Sequence, residues 1–137
     1  MERVKLDQEV LGLSSLMERL TGARVKDCFR DDHETVYFIV APGELGKAVG
    51  KGGIHVKRVQ QELGKKIRII EFSPSVPEFI RNIIYPLQVE KIIEEESILL
   101  QESNRRTKSL LIGRDGKNLK LINRAVRRFF HKEVKVI

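Results

Sequence analysis

Val49-Gly50-Lys51-Gly52-Gly53-Ile54-His55-Val56-Lys57 returns 63 residues later as Ile112-Gly113-Arg114-Asp115-Gly116-Lys117-Asn118-Leu119-Lys120. Both stretches read apolar-Gly-x-x-Gly-x-x-apolar-Lys. A turn with a glycine at each end lets another backbone come close, because no Cβ stands in the way. If a helix starts at the second glycine, its N–H groups and positive dipole end favour an anion such as phosphate. The expectation is two copies of one small nucleic-acid-binding unit.

Working outward, the flanking elements repeat as well. Before the first copy, Lys5 to Thr21 spaces Leu6, Val10, Leu13, Leu16, Met17 and Leu20 as a helix, with Asp7 as N-cap and Gly22 as stop. Ala23 to Arg30 alternates through Val25, Asp27 and Phe29, and Thr35 to Val40 is a second strand. Pro42 suits the first turn of a short helix over Glu44 to Val49. Beyond the glycines, Ile54 to Leu63 is helical with Gly64 as C-cap, and Lys66 to Phe72 is a strand.

The order then recurs. Ser75 caps a helix over Pro77 to Tyr85, with Phe79, Ile80, Ile83 and Ile84 buried and Pro86 ending it. Strands follow over Val89 to Glu94 and Ile98 to Gln101, then a short helix over Arg105 to Ile112. After the second glycine pair, Lys117 to Phe130 is a long helix with Leu119, Ile122, Val126 and Phe129 or Phe130 inward, and Glu133 to Ile137 is the last strand. Repetition at this period implies duplication of one supersecondary unit, with domains over 1–73 and 74–137.

The 137 residues allow one ordinary domain or two small ones. A content of 41% hydrophobic and 33% charged residues excludes a disordered chain. No apolar run reaches the ~20 residues of a membrane span, and the start is not a signal peptide. The single Cys28 forms no internal disulfide and reads as a packed thiol, so a cytoplasmic protein is expected. Net charge is +7, divided as +2 before Ser75 and +5 from there on, which favours a polyanionic partner. His33, His55 and His131 show no ligand spacing, and Ser14-Ser15 lie in a helix without a nucleophile-elbow context. No metal, cofactor or catalytic residue is expected, and the chain does not read as an enzyme.

Other glycine-rich phosphate motifs fail. A Walker loop would need glycine at Leu45 and a hydroxyl at Gly52; a dinucleotide fingerprint would need glycine at His55. Gly-x-x-Gly between two helices, with an apolar residue three positions on, resembles the KH domain, whose loop clamps about four nucleotides of single-stranded backbone. The order helix–strand–strand–helix–Gly-x-x-Gly–helix–strand resembles its prokaryotic, type II form. The expected fold class is therefore α+β, two tandem type II KH domains packed as one rigid body. Two copies with so short a linker closely resemble the tandem KH unit of NusA. The phrase Val49 to Arg58, followed by Gly64-Lys65-Lys66-Ile67, resembles the short archaeal NusA-like proteins. Bacterial NusA also carries a polymerase-binding domain and an S1 domain, for which no residues are available here.

The resemblance implies a cytoplasmic factor of transcription elongation, termination or antitermination. Its partners would be single-stranded RNA, the nascent transcript, and RNA polymerase; a monomer is expected. Expected RNA contacts are Gly50, Lys51, Gly52, Gly53, Lys57 and Arg58 in the first copy. In the second they are Gly113, Arg114, Asp115, Gly116, Lys117, Lys120 and Arg124. Val49, Val56, Ile112 and Leu119 would wall the grooves, and Lys117, Lys120, Arg124 and Arg128 share one helix face. Asp115 sets a carboxylate where phosphate should approach, which repels it, with Arg114 and Lys117 to offset that. Two competing readings are a ribosome-associated or ribosome-assembly KH protein, and a protein-interaction scaffold in which one copy has lost RNA.

Overall fold

The computed structural model describes residues 2–137, with side chains from residue 9 onward. The chain divides into two compact units, Met1–Phe72 and Ser73–Ile137. Unit 1 runs α1 (Glu2–Thr21), β1 (Val25–Arg30), β2 (Val36–Val40), α2 (Leu45–Val49), α3 (Ile54–Leu63) and β3 (Ile67–Glu71). Unit 2 repeats the order with α4 (Val76–Ile84), β4 (Lys91–Glu94), β5 (Ile98–Gln101), α5 (Arg105–Ile112), α6 (Lys117–Phe130) and β6 (Val134–Val136).

Each unit has a three-stranded sheet in sequence order, β1-β2-β3 and β4-β5-β6. The first pair is antiparallel and the second parallel in both. Parallel neighbours need a crossover connection. Here the crossover is helix, glycine turn, helix, so each turn is carried on the link between two hydrogen-bonded strands.

Unit 1 packs Met17, Ala23, Cys28, Val36, Phe38, Val40, Ala48, Val59 and Ile67 into one cluster. Val25 pairs with Val40 and Asp27 with Ile39, which leaves Lys26 as the extra residue of a bulge. That bulge breaks the expected alternation through Val25, Asp27 and Phe29. Past it, Cys28 joins the cluster as a buried thiol, while Phe29 stacks on Tyr37 at 5.2 Å. In unit 2, Phe79, Ile80, Ile83, Ile98, Leu100, Leu111, Ile122 and Val126 are buried. Phe129 and Phe130 both pack on the Phe79 ring, at 5.9 and 6.0 Å, where one inward ring was expected.

Some element starts differ from expectation. The first helix begins at Glu2, so Asp7 lies within it and not at its N-cap; the Leu6 and Asp7 side chains fall outside the described ones. Pro42 does not open α2. It occupies a turn closed by Glu44 N–H on the Ala41 carbonyl at 3.0 Å, with Gly43 at φ +79°, the proline-then-glycine arrangement of a type II turn. β1, β2, β3, β4 and β6 are each one or two residues shorter at an end than expected, whereas β5 runs over the expected residues. Ser75 does cap α4, its Oγ accepting from Glu78 N–H at 3.4 Å.

Candidate nucleic-acid interface

In unit 1, α2 stops where Gly50 adopts φ +76° and ψ 166°, a region essentially confined to glycine. Its N–H still donates to Gly46 O at 2.8 Å. A single 3₁₀ turn over Lys51–Gly53 follows, with Gly52 at φ +66°, and Gly53 at φ +75° starts α3. Unit 2 repeats this with Gly113 at φ +77° and ψ 167°, Asp115 at φ +56° and Gly116 at φ +72°. Gly113 N–H donates to Ser109 O at 2.8 Å. The left-handed angle at Asp115 is one that Asp accepts better than most side chains.

The donors at the second glycine are used internally, which changes the simple picture of helix ends offering their N–H groups. Gly53 and Gly116 donate to the Gly50 and Gly113 carbonyls, each at 3.1 Å. Ile54 and Lys117 donate to the Lys51 and Arg114 carbonyls.

The first glycine of each turn is crowded by the chain itself. A Cβ on Gly50 would stand 2.7 Å from His55 Cγ, and one on Gly113 would stand 2.8 Å from both Asn118 Cβ and Asn118 N. His55 Nδ1 lies 2.6 Å from the Lys47 carbonyl, which can only accept, so that nitrogen carries a proton. Asn118 Nδ2 donates to Leu110 O at 3.2 Å and Leu111 O at 3.1 Å. By contrast, a Cβ at Gly52, Gly53 or Gly116 would meet nothing within 4 Å. The close approach permitted at the first glycines is thus occupied by the following helix, whereas the tip and second glycine stay open.

Around the turns, Lys51, Lys57 and Arg58 are exposed, as are Arg114, Asp115, Lys117, Lys120 and Arg124. Val49, Val56, Ile112 and Leu119 are half-buried, and Val56 packs on the unit 1 cluster. Along α6 an open concavity of ≈ 670 Å³ is lined by Gly116, Leu119, Lys120, Asn123, Arg124, Arg127 and Arg128. It brings together the expected Gly116, Leu119, Lys120 and Arg124 with Arg128 of the same helix face, and adds Asn123 and Arg127. Asn123 fixes this face to the sheet, since its side chain accepts from Val134 N–H at 2.8 Å and donates to Val134 O at 3.0 Å. Arg127 reaches Glu133 at 3.9 Å, and the Arg128 guanidinium lies 5.3 Å from the Phe129 ring centre.

Sequence reasoning passed over His55, Asn118 and Ile54, which is 61% exposed beside Gly53. The signal for the first two was available. His55 and Asn118 hold the same place in the two copies, and both side chains carry an N–H donor.

Electrostatics in unit 1 centre on the β1–β2 connection. Asp31 accepts from His33 N–H, Thr35 N–H and the Tyr37 hydroxyl at 2.8, 3.0 and 2.9 Å. Burial, then the bond to Asp31 and its charge, push the Tyr37 hydroxyl up to about 12. Glu34 pairs with Lys65, which holds its carboxyl below the usual range. Burial lowers the Arg68 guanidinium. Among the described residues no group of three or more His, Cys, Asp or Glu is placed to hold a metal ion, and no helix is long and apolar enough to cross a membrane.

Comparison with known proteins gives concordant matches. The family model described as "KH domain" matches residues 14–96, which takes in the first glycine turn and ends before the second. "Probable transcription termination protein NusA" of Methanococcus vannielii is 38% identical over 90% of this chain and 72% of its own length. The Halococcus morrhuae protein of the same name is 32% identical over 93% of this chain and 94% of its own. The crystal structure of APE1850 superposes with a TM-score of 0.78 at 26% identity, over 95% of this chain and 99% of that one.

Proposed function

The chain belongs to the KH family, as an archaeal NusA-like protein, and from that premise we propose that it binds single-stranded RNA in transcription termination or antitermination. On this reading units 1 and 2 are both type II KH domains, over 1–73 and 74–137. The nascent transcript is the ligand, and RNA polymerase is a partner in the same complex. The protein performs no reaction of its own.

One observation carries the reading: the same glycine turn, with nearly the same backbone angles, is built twice although the tip residue is Gly52 in one copy and Asp115 in the other. With the donors of the second glycine used internally, the amides of Lys51 and Gly52, and of Arg114 and Asp115, are the ones proposed to meet phosphate. Lys57 and Arg58, with Lys117, Lys120 and Arg124, add attraction that salt screens. Val49 and Val56, with Ile112 and Leu119, offer bases an apolar wall.

The test is binding of a labelled single-stranded RNA pool at several salt concentrations. Each phosphate neutralised contributes about −0.7 to the log–log slope. Lys51→Asp/Gly52→Asp should abolish binding and flatten the slope, and Arg114→Asp should weaken it. Unchanged affinity in both would sink the clamp and favour a protein-binding scaffold, which the Asp115 carboxylate already makes the rival reading for unit 2.

A further inference from the structure

We propose that His55 and Asn118 are positioning residues that lock the two glycine turns into their RNA-competent shape; this rests on the RNA-binding reading above. Each stands five residues after the first glycine of its turn and reaches back eight residues, His55 to Lys47 O and Asn118 to Leu110 O. The carbonyls they meet belong to the last turns of α2 and α5. Carbonyls there have no partner within their own helix. The side chain therefore satisfies an orphan acceptor of one helix from the first turn of the next.

The glycine before it belongs to the same device. A Cβ at Gly50 would meet His55 Cγ, Nδ1 and main-chain N at 2.7, 2.9 and 3.0 Å, and one at Gly113 would meet Asn118 Cβ and main-chain N, both at 2.8 Å. A glycine at this place lets the bracing residue come close. The brace in turn holds the intervening tip, whose glycines have open space around them. Two different side chains do this, a ring in one unit and a carboxamide in the other. The shared requirement is an N–H donor on a short reach, not a particular residue.

The experiment compares His55→Leu, which keeps bulk and removes the donor, with His55→Asn, which installs the brace of the other unit. The reciprocal pair is Asn118→Leu and Asn118→His. RNA affinity, salt slope and denaturant midpoint are read for each, with Lys51→Asp/Gly52→Asp as the loop control. One net hydrogen bond corresponds to about a 3- to 10-fold change. His55→Leu should bind about 3- to 10-fold more weakly with the salt slope kept, because phosphate contacts remain while the tip must be ordered on binding. His55→Asn should bind within about twofold of the parent. If His55→Leu binds as tightly as the parent while the loop control fails, the brace is overturned and the RNA reading stands. Should the loop control bind normally too, both fall. Loss in His55→Asn equal to that in His55→Leu would also overturn the brace, since the donor would not be what matters.

Discussion

Gly52 in the first turn and Asp115 in the second hold nearly the same backbone angles, φ +66° and φ +56°, and carry opposite consequences for an anion. Around them almost every side chain differs. The helix before the turn has no side-chain cap in unit 1, where Glu44 leads in. In unit 2 Asn104 Oδ1 accepts from Thr107 N–H at 2.9 Å. The brace is His55 in one and Asn118 in the other. What stays the same is the set of main-chain bonds: first glycine to the helix behind it, second glycine to the first. The shape thus rests on backbone bonding, two glycine positions and a bracing N–H donor, while the charge presented at the tip is left to the side chains.

The largest test of that division is an alanine at the first glycine. Gly113→Ala and Gly50→Ala each force a side chain into angles nearly restricted to glycine, a strain on the order of 1–3 kcal/mol. Gly113→Ala should be the worse of the two. Its Cβ meets main-chain Asn118 N at 2.8 Å, whereas the Cβ of Gly50→Ala meets the His55 ring at 2.7 Å, which can swing aside, and main-chain His55 N only at 3.0 Å. Denaturant midpoints measure this; the reverse order would mean the His55 ring is held more firmly than the backbone.

A reciprocal exchange at the tip comes next. Asp115→Gly should raise RNA affinity several-fold and stabilise unit 2 by about 1 kcal/mol, by removing both the charge and left-handed strain. Gly52→Asp should do the opposite in unit 1. If Asp115→Gly leaves affinity unchanged, the second turn does not meet phosphate. Asn104→Ala should cost about 1 kcal/mol, as lost N-caps do; Glu44→Ala loses no cap bond, only the contacts of its carboxylate with Arg24 N–H at 3.3 Å and Lys47 at 3.5 Å.

A last effect separates the units by pH. Tyr37 ionises near 10 when unfolded and near about 12 here, so its contribution to stability is complete below pH 10. It falls away as pH rises from 10 toward 12, because the unfolded chain gives up the proton first. Tyr37→Phe should remove that part of the alkaline decline. Unit 2 has no buried tyrosine and should show none of it. An identical decline in the variant would locate the alkaline transition elsewhere.

Much of this was legible in the sequence because periodicity and glycine spacing report backbone needs directly. α5 and α6 run over the residues their patterns marked, and Gly64 ends α3 in the left-handed cap expected of it. The misses have physical causes. A bulge at Lys26 is invisible to alternation, because one extra residue changes which parity faces the cluster. Pro42 fits a helix start and a turn equally well, and only the following glycine's angle separates them. The bracing role of His55 and Asn118 depends on a bond across eight residues. In a single copy such a bond has no sequence signature; the duplication supplies one.

Both units end with a strand that pairs in parallel with the middle one, and the glycine turn lies on the connection between those two. During synthesis the chain emerges from its N-terminal end and folds unit by unit. The first turn therefore gains its framework when Ile67–Glu71 takes its register beside β2, before any of unit 2 is needed. The second waits for Val134–Val136. A nascent chain halted just after Phe130 would carry one finished turn, and a second whose two helices have no completed sheet to close upon.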